Sequence, residues 1–455
     1  MQFKRALCVR PPTHRNAPVN KFLPPLGLEI IATVMHNAGV EITLVDLRHE
    51  KSLSPYLKDF DVENQIAAFS INWDFEIEMI PELLREIPDG AFVVFGGRSA
   101  TTHVEEIFRD NPKVSCIVRG DGEEITRELV EGRNLEDIEG LSFRKGDQII
   151  HNRNRELEEM DDSLIVNREL RRQRYAVEDI GAEMDFISTS RGCPFKCTFC
   201  SFSNNPLGQK RKWTARSPES VLRELKTIKA GTVVITDDNF AVDAKRVEKI
   251  CDLIIENGIR KNFIAAVRIE ISRHPKMLEK MAKAGIRMLL VGIESASDRI
   301  LGMMNKGFTT DEVVKAFKVI RRYNFFIHGF AIIGNFTETE EEMLRLSVFS
   351  NRVDLDSLSV LVLRTDKYNP LNDFIKDYPE YHIVFNNNEL QIYSDKYSVH
   401  DLDKIRIEIT KRYYTPLNIL KFVRRLVATG FIRFPHLVTY AHRLITGQSK
   451  LVIVK

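Results

Sequence analysis

The chain has 455 residues, 43% of them hydrophobic and 29% charged, with a formal net charge of +2. At roughly 100–200 residues per domain, two to four domains are expected, and this composition excludes wholesale disorder and a polytopic membrane protein. Six cysteines exclude a disulfide-stapled secreted scaffold. No stretch reaches the ~18 apolar residues of a spanning helix, and MQFKRALCVRPP lacks a signal-peptide core, so a cytoplasmic location is expected.

The net charge hides an asymmetry. Nine of the 66 Lys and Arg, and none of the 64 Asp and Glu, lie between Ile409 and Lys455, so the preceding chain is net −7. The basic character belongs to the tail.

The first segment reads as alternating strand and helix. Strands are expected at 6–10, 40–47, 65–71, 91–97 and from 114, and a helix at 25–39, with Pro near its start and Gly at its end. This order implies a parallel, doubly wound sheet, whose ligands sit beyond the carboxyl ends of the strands. Those ends hold Pro11, Pro12, Asp46, Asn72, Gly96, Gly97, Arg119 and Gly120. LSFRKGDQIIHNRN reads as a small hairpin turning at Gly-Asp, and the charged stretch 154–180 as a linker.

A second strand–helix series starts at 185–193, with later strands at 232–240, 262–268, 288–295, 326–335 and 358–363. Helices such as 217–230 and 310–323 fill the gaps. About six such units imply a complete or partial β/α barrel. The alternation fades after Asp366, and 416–447 reads as a basic helical region broken near Pro435. No repeat of 20–50 residues is evident.

The strongest chemical signal is RGCPFKCTFCSF (191–202), which sets Cys193, Cys197 and Cys200 at C-x3-C-x2-C spacing. Three clustered thiolates suit a soft metal centre. Ordinary iron–sulfur sites use four cysteines, so three would leave one iron of a cubane open to another ligand. Zinc would want a fourth Cys or His, and none lies at a finger-like distance. Cys8, Cys116 and Cys251 are scattered among apolar neighbours.

This motif resembles that of the radical S-adenosylmethionine (SAM) superfamily. The resemblance implies a [4Fe–4S] cluster held by the three cysteines. SAM would bind the fourth iron and be cleaved to a 5′-deoxyadenosyl radical that abstracts hydrogen. Phe199 matches the aromatic beside the last cysteine and would pack on adenine. Asp237, Asp238 and Asn239, ending the strand at 232–240, would hold the SAM amino group. Arg268 would meet its carboxylate, and Glu294 of GIES would lie near SAM. GFAIIGNFTET (329–339), with Gly334, resembles the turn near the methionine or adenine portion. The bland alternatives are a helix N-cap for the Asp and Asn residues and a structural ion pair for Glu294.

The first 150 residues resemble the cobalamin-binding domain attached to one branch of that superfamily, on 23–39, 42–46, 93–101 and 117–124. The tentative cobalamin residues are the eight at the strand ends named above. The D-x-H-x-x-G motif that supplies an axial His is absent; Asp46-Leu-Arg-His49 is only D-x-x-H, and His49 reads as a surface residue. The alternative is a degenerate domain without corrinoid.

The expected architecture is α/β. It comprises a cobalamin-binding-like doubly wound sheet (1–140), a linker (141–180), a radical SAM partial TIM barrel (181–365) and a helical C-terminal region (366–455). With both cofactors, the resemblance implies methylation of an unactivated carbon, one SAM methylating the corrinoid and a second supplying the radical. The preferred substrate is lipid- or tetrapyrrole-like, and a flavodoxin or ferredoxin would supply electrons. The alternatives are radical cyclisation, hydroxylation or oxidation of such a substrate, and a non-catalytic corrinoid or iron–sulfur carrier. The tail at 410–455, with Phe422, Leu426, Phe431, Ile432, Phe434 and Leu437, has three readings: a cap, an anionic-partner site, or a contact with the inner membrane face. No nucleic-acid module is visible.

Overall fold

The computed structural model describes residues 3–12, 21–177, 182–202, 204–386 and 389–432. The chain forms two compact units, residues 1–176 with 204–210, and residues 177–203 with 211–455.

The first unit is built on strands β1 (Arg5–Arg10), β2 (Glu41–Asp46), β3 (Gln65–Ser70), β4 (Phe92–Gly96) and β5 (Cys116–Val118), parallel in the order β2-β1-β3-β4-β5. Successive residues of β1 enter opposite cores, as strand alternation demands. Leu7 and Val9 pack with helices Ile80–Glu86 and Val104–Asp110, and Ala6 and Cys8 with helices Leu26–Asn37 and Glu123–Glu131. Apolar layers on both faces are why these strands read as near-continuous apolar runs.

Two expectations change. The hairpin β6 (Leu141–Lys145) and β7 (Gln148–His151) does not lie in a linker; it extends this sheet antiparallel beyond β5, so the sheet is mixed. The charged stretch that follows is also tied down. Asn167 N donates to Thr33 Oγ1 at 2.9 Å, and Arg171 grips Glu29 with two 2.7 Å hydrogen bonds. Arg155 and Arg171 pair with Glu128 and Glu29 of the domain, whereas Glu156, Glu158, Glu159 and Asp161 are exposed, a division that sequence composition does not reveal.

In the second unit the short β8 (Ala176–Val177) edges a sheet of six longer parallel strands. These are β9 (Ala182–Ile187), β12 (Thr232–Ile235), β13 (Asn262–Val267), β14 (Ile286–Glu294), β15 (Phe326–Ile333) and β16 (Ser357–Val362), paired in chain order. Between them β10 (Ser190–Arg191) pairs antiparallel with β11 (Thr214–Ala215). The sheet is an open half-barrel. Its outer face, including Ile235, Ala265, Val291, Ile327 and Val360, merges with the helices into one core. The alternate residues Val234, Ala266, Leu290, His328 and Phe330 face inward and are only partly buried.

Helix starts follow their sequence signals. Thr309 with Glu312 and Thr339 with Glu342 form capping boxes for helices Thr310–Ile320 and Glu340–Arg352. The C-terminal region is not purely helical as expected. β17 (Arg364–Thr365), β18 (Tyr381–Asn386) and β19 (Glu389–Ser394) form an antiparallel sheet before helices Val399–Tyr413 and Pro416–Ala428. Phe434 and Leu437 lie outside the described residues. No described helix is long and apolar enough to cross a membrane.

Candidate active site

The cysteine segment follows β10 at the carboxyl end of the half-barrel, and neighbouring strand ends lace it down. Asp237, just past β12, is buried and accepts from Thr189 N at 2.7 Å, from Ser190 Oγ at 2.6 Å and from Thr189 Oγ1. Next to it, Asp238 accepts from Gly192 N at 2.8 Å. Two adjacent carboxylates therefore hold the entry to the loop. From the other side, Thr198 N donates to Met304 O at 3.0 Å and Asn305 Nδ2 to Lys196 O at 2.7 Å. Asn369 Nδ2 donates to Phe199 O at 3.0 Å.

Arg268, past the end of β13, is buried beneath this loop. Its guanidinium carbon lies 3.8 Å from the Phe195 ring centroid, and Nη1 donates to Cys197 Sγ at 3.4 Å. Glu270 at 3.0 Å and the Lys306 carbonyl accept from the same guanidinium.

Glu294 ends β14 at a bulge, where pairing with β15 slips between Gly292 and Glu294. Its φ of 59° is unusual for a non-glycine residue and turns the carboxylate back toward Gly292. A Cβ on Gly292 would lie 2.1 Å from Glu294 Oε1 and 3.0 Å from Lys306 Nζ, so a larger residue there would have to displace these side chains. That oxygen accepts from Lys306 Nζ at 2.6 Å, both side chains being buried. The ammonium also lies 5.4 Å from the Phe199 ring centroid.

The three cysteines are free thiols. Burial pushes Cys193 up and Cys200 up to about 12, and neighbouring thiols add to both. Among the described residues no three Cys, His, Asp or Glu side chains already converge at metal-binding distance. The donor set nevertheless fits an iron–sulfur cluster: three soft ligands on one braced loop, next to a cation that offsets thiolate charge. By contrast Cys8, Cys116 and Cys251 are buried in apolar cores.

Several expected residues have other duties. Asp237 is a brace, its oxygens taken by the loop, and is not open to a ligand. Asn239 is buried and accepts from Ala241 N at 3.3 Å within the turn; the N-cap of the next helix is Asp243, not Asn239. Asp238 is only partly covered; burial lifts its carboxyl to about 6. Gly334 follows β15 with φ 78°, and a Cβ there would press on Leu402 at 3.0 Å. Phe199 packs beside an apolar cluster that includes Ile300, Ile332 and Phe336.

In the first unit, Pro11 and Pro12 follow β1 and Asn72 follows β3, flanking the switch point of the strand order. Asp46 is a correction: it is buried, paired with Arg48 at 2.6 Å, and accepts from Tyr175 Oη at 2.9 Å. Arg119 donates to Asn154 Oδ1 at 2.6 Å and to the Asn152 carbonyl, which anchors the segment after the hairpin. Asn72 Oδ1 accepts from Arg98 N at 3.2 Å. A Cβ on Gly97 would fall 2.5 Å from Ile71 O, so that glycine serves backbone packing. Gly96 and Gly120, with main-chain groups, remain at this edge. His49 is exposed, its Nε2 2.8 Å from Lys21 O. The edge therefore fits a corrinoid held without an imidazole from that motif.

Sequence reading missed Lys306, twelve residues beyond Glu294 in an Asn-Lys-Gly turn, because nothing local predicts a buried lysine. It also missed Glu76, buried against Arg10 at the β1/β3 switch point, and Glu338 and His328. His328 Nδ1 lies 2.6 Å from Ser357 Oγ, and burial lowers the imidazole to about 4, so the ring is neutral.

A radical SAM superfamily model matches residues 187–347 and a B12 binding domain model matches residues 15–130. The chain therefore carries a radical SAM domain and a B12-binding domain. These domains imply a [4Fe–4S] cluster, SAM and cobalamin. The radical SAM chain is 29% identical over 371 residues to an uncharacterized methyltransferase of Pyrococcus horikoshii, covering 78% of this chain and 80% of that protein. It is 26% identical to an anaerobic magnesium-protoporphyrin IX monomethyl ester cyclase of Synechocystis, covering 66% and 63%. It is also 26% identical to a hopanoid C-3 methylase of Methylococcus capsulatus, covering 64% and 57%. The matches thus span less than two thirds of the cyclase and of the hopanoid methylase. Among solved structures, the radical SAM methyltransferase TsrM of Kitasatospora setae, with cobalamin and [4Fe–4S] cluster bound, superposes with a TM-score of 0.69. It covers 95% of this chain and 89% of that chain, and 16% identity makes this a likeness of fold.

Proposed function

We propose that this radical SAM chain is a cobalamin-dependent methyltransferase acting on an unactivated carbon of a lipid- or tetrapyrrole-like small molecule. The observation that carries the reading is a braced loop of three free thiols at the half-barrel mouth, in a chain whose other unit matches a B12-binding domain. When bound, the cluster supplies the electron that cleaves SAM to a deoxyadenosyl radical, and cobalamin supplies the methyl group.

Cys193, Cys197 and Cys200 hold the cluster. Arg268 holds Cys197 through its hydrogen bond to the sulfur, and Asp237 and Asn239 keep the loop and turn in place. Asp238 and the free Oε2 of Glu294 accept from the SAM amino group. Lys306, with one proton on Glu294, has two left for the SAM carboxylate. Phe199 and Gly334 shape the adenine side. At the edge of the first unit, Pro11, Pro12, Gly96, Gly120 and Asn72 hold the corrinoid. The inward face of the half-barrel, with Val234, Ala266, Leu290 and Phe330 around the neutral His328, suits an apolar substrate with one hydrogen-bonding group. A one-electron donor such as flavodoxin or ferredoxin serves the cluster.

The similarity to the cyclase supports a second reading, radical cyclisation or oxidation of the same class of molecule. That reaction is either cobalamin-assisted or cobalamin-free; anaerobic reconstitution with iron, sulfide and hydroxocobalamin, followed by desalting, tests whether the corrinoid that methylation requires is held. Four irons and about one corrinoid per chain are expected, with SAM cleaved on reduction. Iron retained without corrinoid would overturn the methyltransferase reading, and absence of SAM cleavage would leave a carrier.

A further inference from the structure

The helix Pro416–Ala428 divides sharply in two. Its inner face docks on the amino-terminal end of the half-barrel, opposite the cysteine loop. Phe422 meets Phe326, the first residue of β15, edge to face at 5.5 Å. Lys421 Nζ donates to Leu355 O at 2.9 Å, Arg425 lies 3.5 Å from Asp356, and Leu426 is buried. Asn324 and Asn262 donate to the carbonyls of Ala428 and Gly430 at 2.8 and 3.2 Å. This part of the tail is therefore a cap.

The outer face is the reverse of what a solvated helix shows. Leu417 is 74% exposed and Leu420 65%, and Ile419, Val423 and Val427 are exposed beside them. Arg424 is the charged residue of this face and makes no ion pair among the described residues. Clustered exposed aliphatic residues mark a contact surface. A symmetric pairing of two copies would set Arg424 near its counterpart, with no acidic residue between 409 and 455 to compensate. An anionic lipid surface satisfies both features: the aliphatic side chains enter the headgroup–acyl boundary, and phosphate groups meet the arginine.

We propose that the outer face of helix Pro416–Ala428 docks this protein on anionic membrane surfaces, with the cysteine loop at the far end of the half-barrel. This inference does not rest on the methyltransferase reading. The test is sedimentation of the intact chain with phosphatidylcholine vesicles with and without phosphatidylglycerol. Binding that requires phosphatidylglycerol is expected. Leu417→Glu/Leu420→Glu should weaken it by at least about tenfold, and Arg424→Gln by roughly fivefold, the worth of one surface cation. Both variants should keep the helical circular dichroism, reconstituted iron content and SAM cleavage of the parent, because the altered side chains face away from the barrel. Three results would overturn the proposal. One is no binding by the intact chain. Another is binding indifferent to lipid charge or to the glutamates. The third is a concentration-dependent dimer that the glutamates abolish.

Discussion

Lys306 Nζ lies 2.6 Å from Glu294 Oε1, joining a strand bulge to a turn twelve residues later in a buried ion pair. The same turn gives its Lys306 carbonyl to Arg268, which in turn touches Cys197. The carboxylate, both cations and one cysteine are therefore one connected network. Breaking a buried pair from one side strands the other charge. Lys306→Met should destabilise the cofactor-free chain by about 3–5 kcal/mol in chemical denaturation, whereas Lys306→Met with Glu294→Leu should recover most of the loss. A cost below about 1 kcal/mol for the single variant would mean that water reaches the pair.

Cys197 and Arg268 should separate by spectroscopy. Cys197→Ala removes a ligand and should abolish both the roughly 400 nm cluster band and SAM cleavage. Arg268→Met removes the charge and the hydrogen bonds to Cys197, Glu270 and the Lys306 carbonyl, and leaves all three thiols in place. It should retain iron but shift the cluster potential to more negative values, since less positive charge faces the sulfur. An unchanged potential would disconnect Arg268 from the cluster.

Asp237 acts on the loop through Thr189 and Ser190. Asp237→Ala should lower iron retention several-fold and open the 189–200 segment to proteolysis in the cofactor-free chain. Asp237→Asn, which can still accept from Thr189 N, should rescue part of both. Protease resistance equal to the parent's would show that the loop does not need the brace.

Glu338 is buried at the turn after β15. It accepts from Asn335 N at 3.0 Å, while its Oε1 has no partner. Burial raises the carboxyl from 4.5 to about 7, so between those values the folded chain binds a proton that the unfolded chain has lost. Stability should therefore fall as pH rises from about 4.5 to about 7, by an amount on the order of 1–3 kcal/mol. Glu338→Gln, which cannot ionise, should flatten that slope in denaturant titrations at the two pH values. A parallel slope in the variant would place the titration elsewhere.

The boundary between what was legible and what was not follows the range of the interactions. The strands of both sheets were readable because buried parallel strands need continuous apolar runs, and the helices because their caps are local. The cysteine spacing was readable because three soft ligands on one loop must be close in sequence. The hairpin at 141–151 was visible as a hairpin, but only β5 shows that it extends the sheet. Asp237 and Asp238 look equivalent in sequence; the sheet turns one into the loop and leaves the other partly open. Asp46 matched a ligand-bearing strand end, yet Tyr175, 129 residues away, closes over it. In the tail, the sequence shows a basic amphipathic segment with three meanings. Packing against Phe326, Asp356 and Asn262 selects the inner face and thereby exposes the outer one.

The sequence by itself determined the two domain classes, the clustering of three cysteines on one segment and the succession of strands along the chain, because these depend on local periodicity and on residues held within one short segment. The tertiary structure decided which polar residues hold the scaffold and which remain open. Burial and pairing are set by neighbours that are distant in the chain.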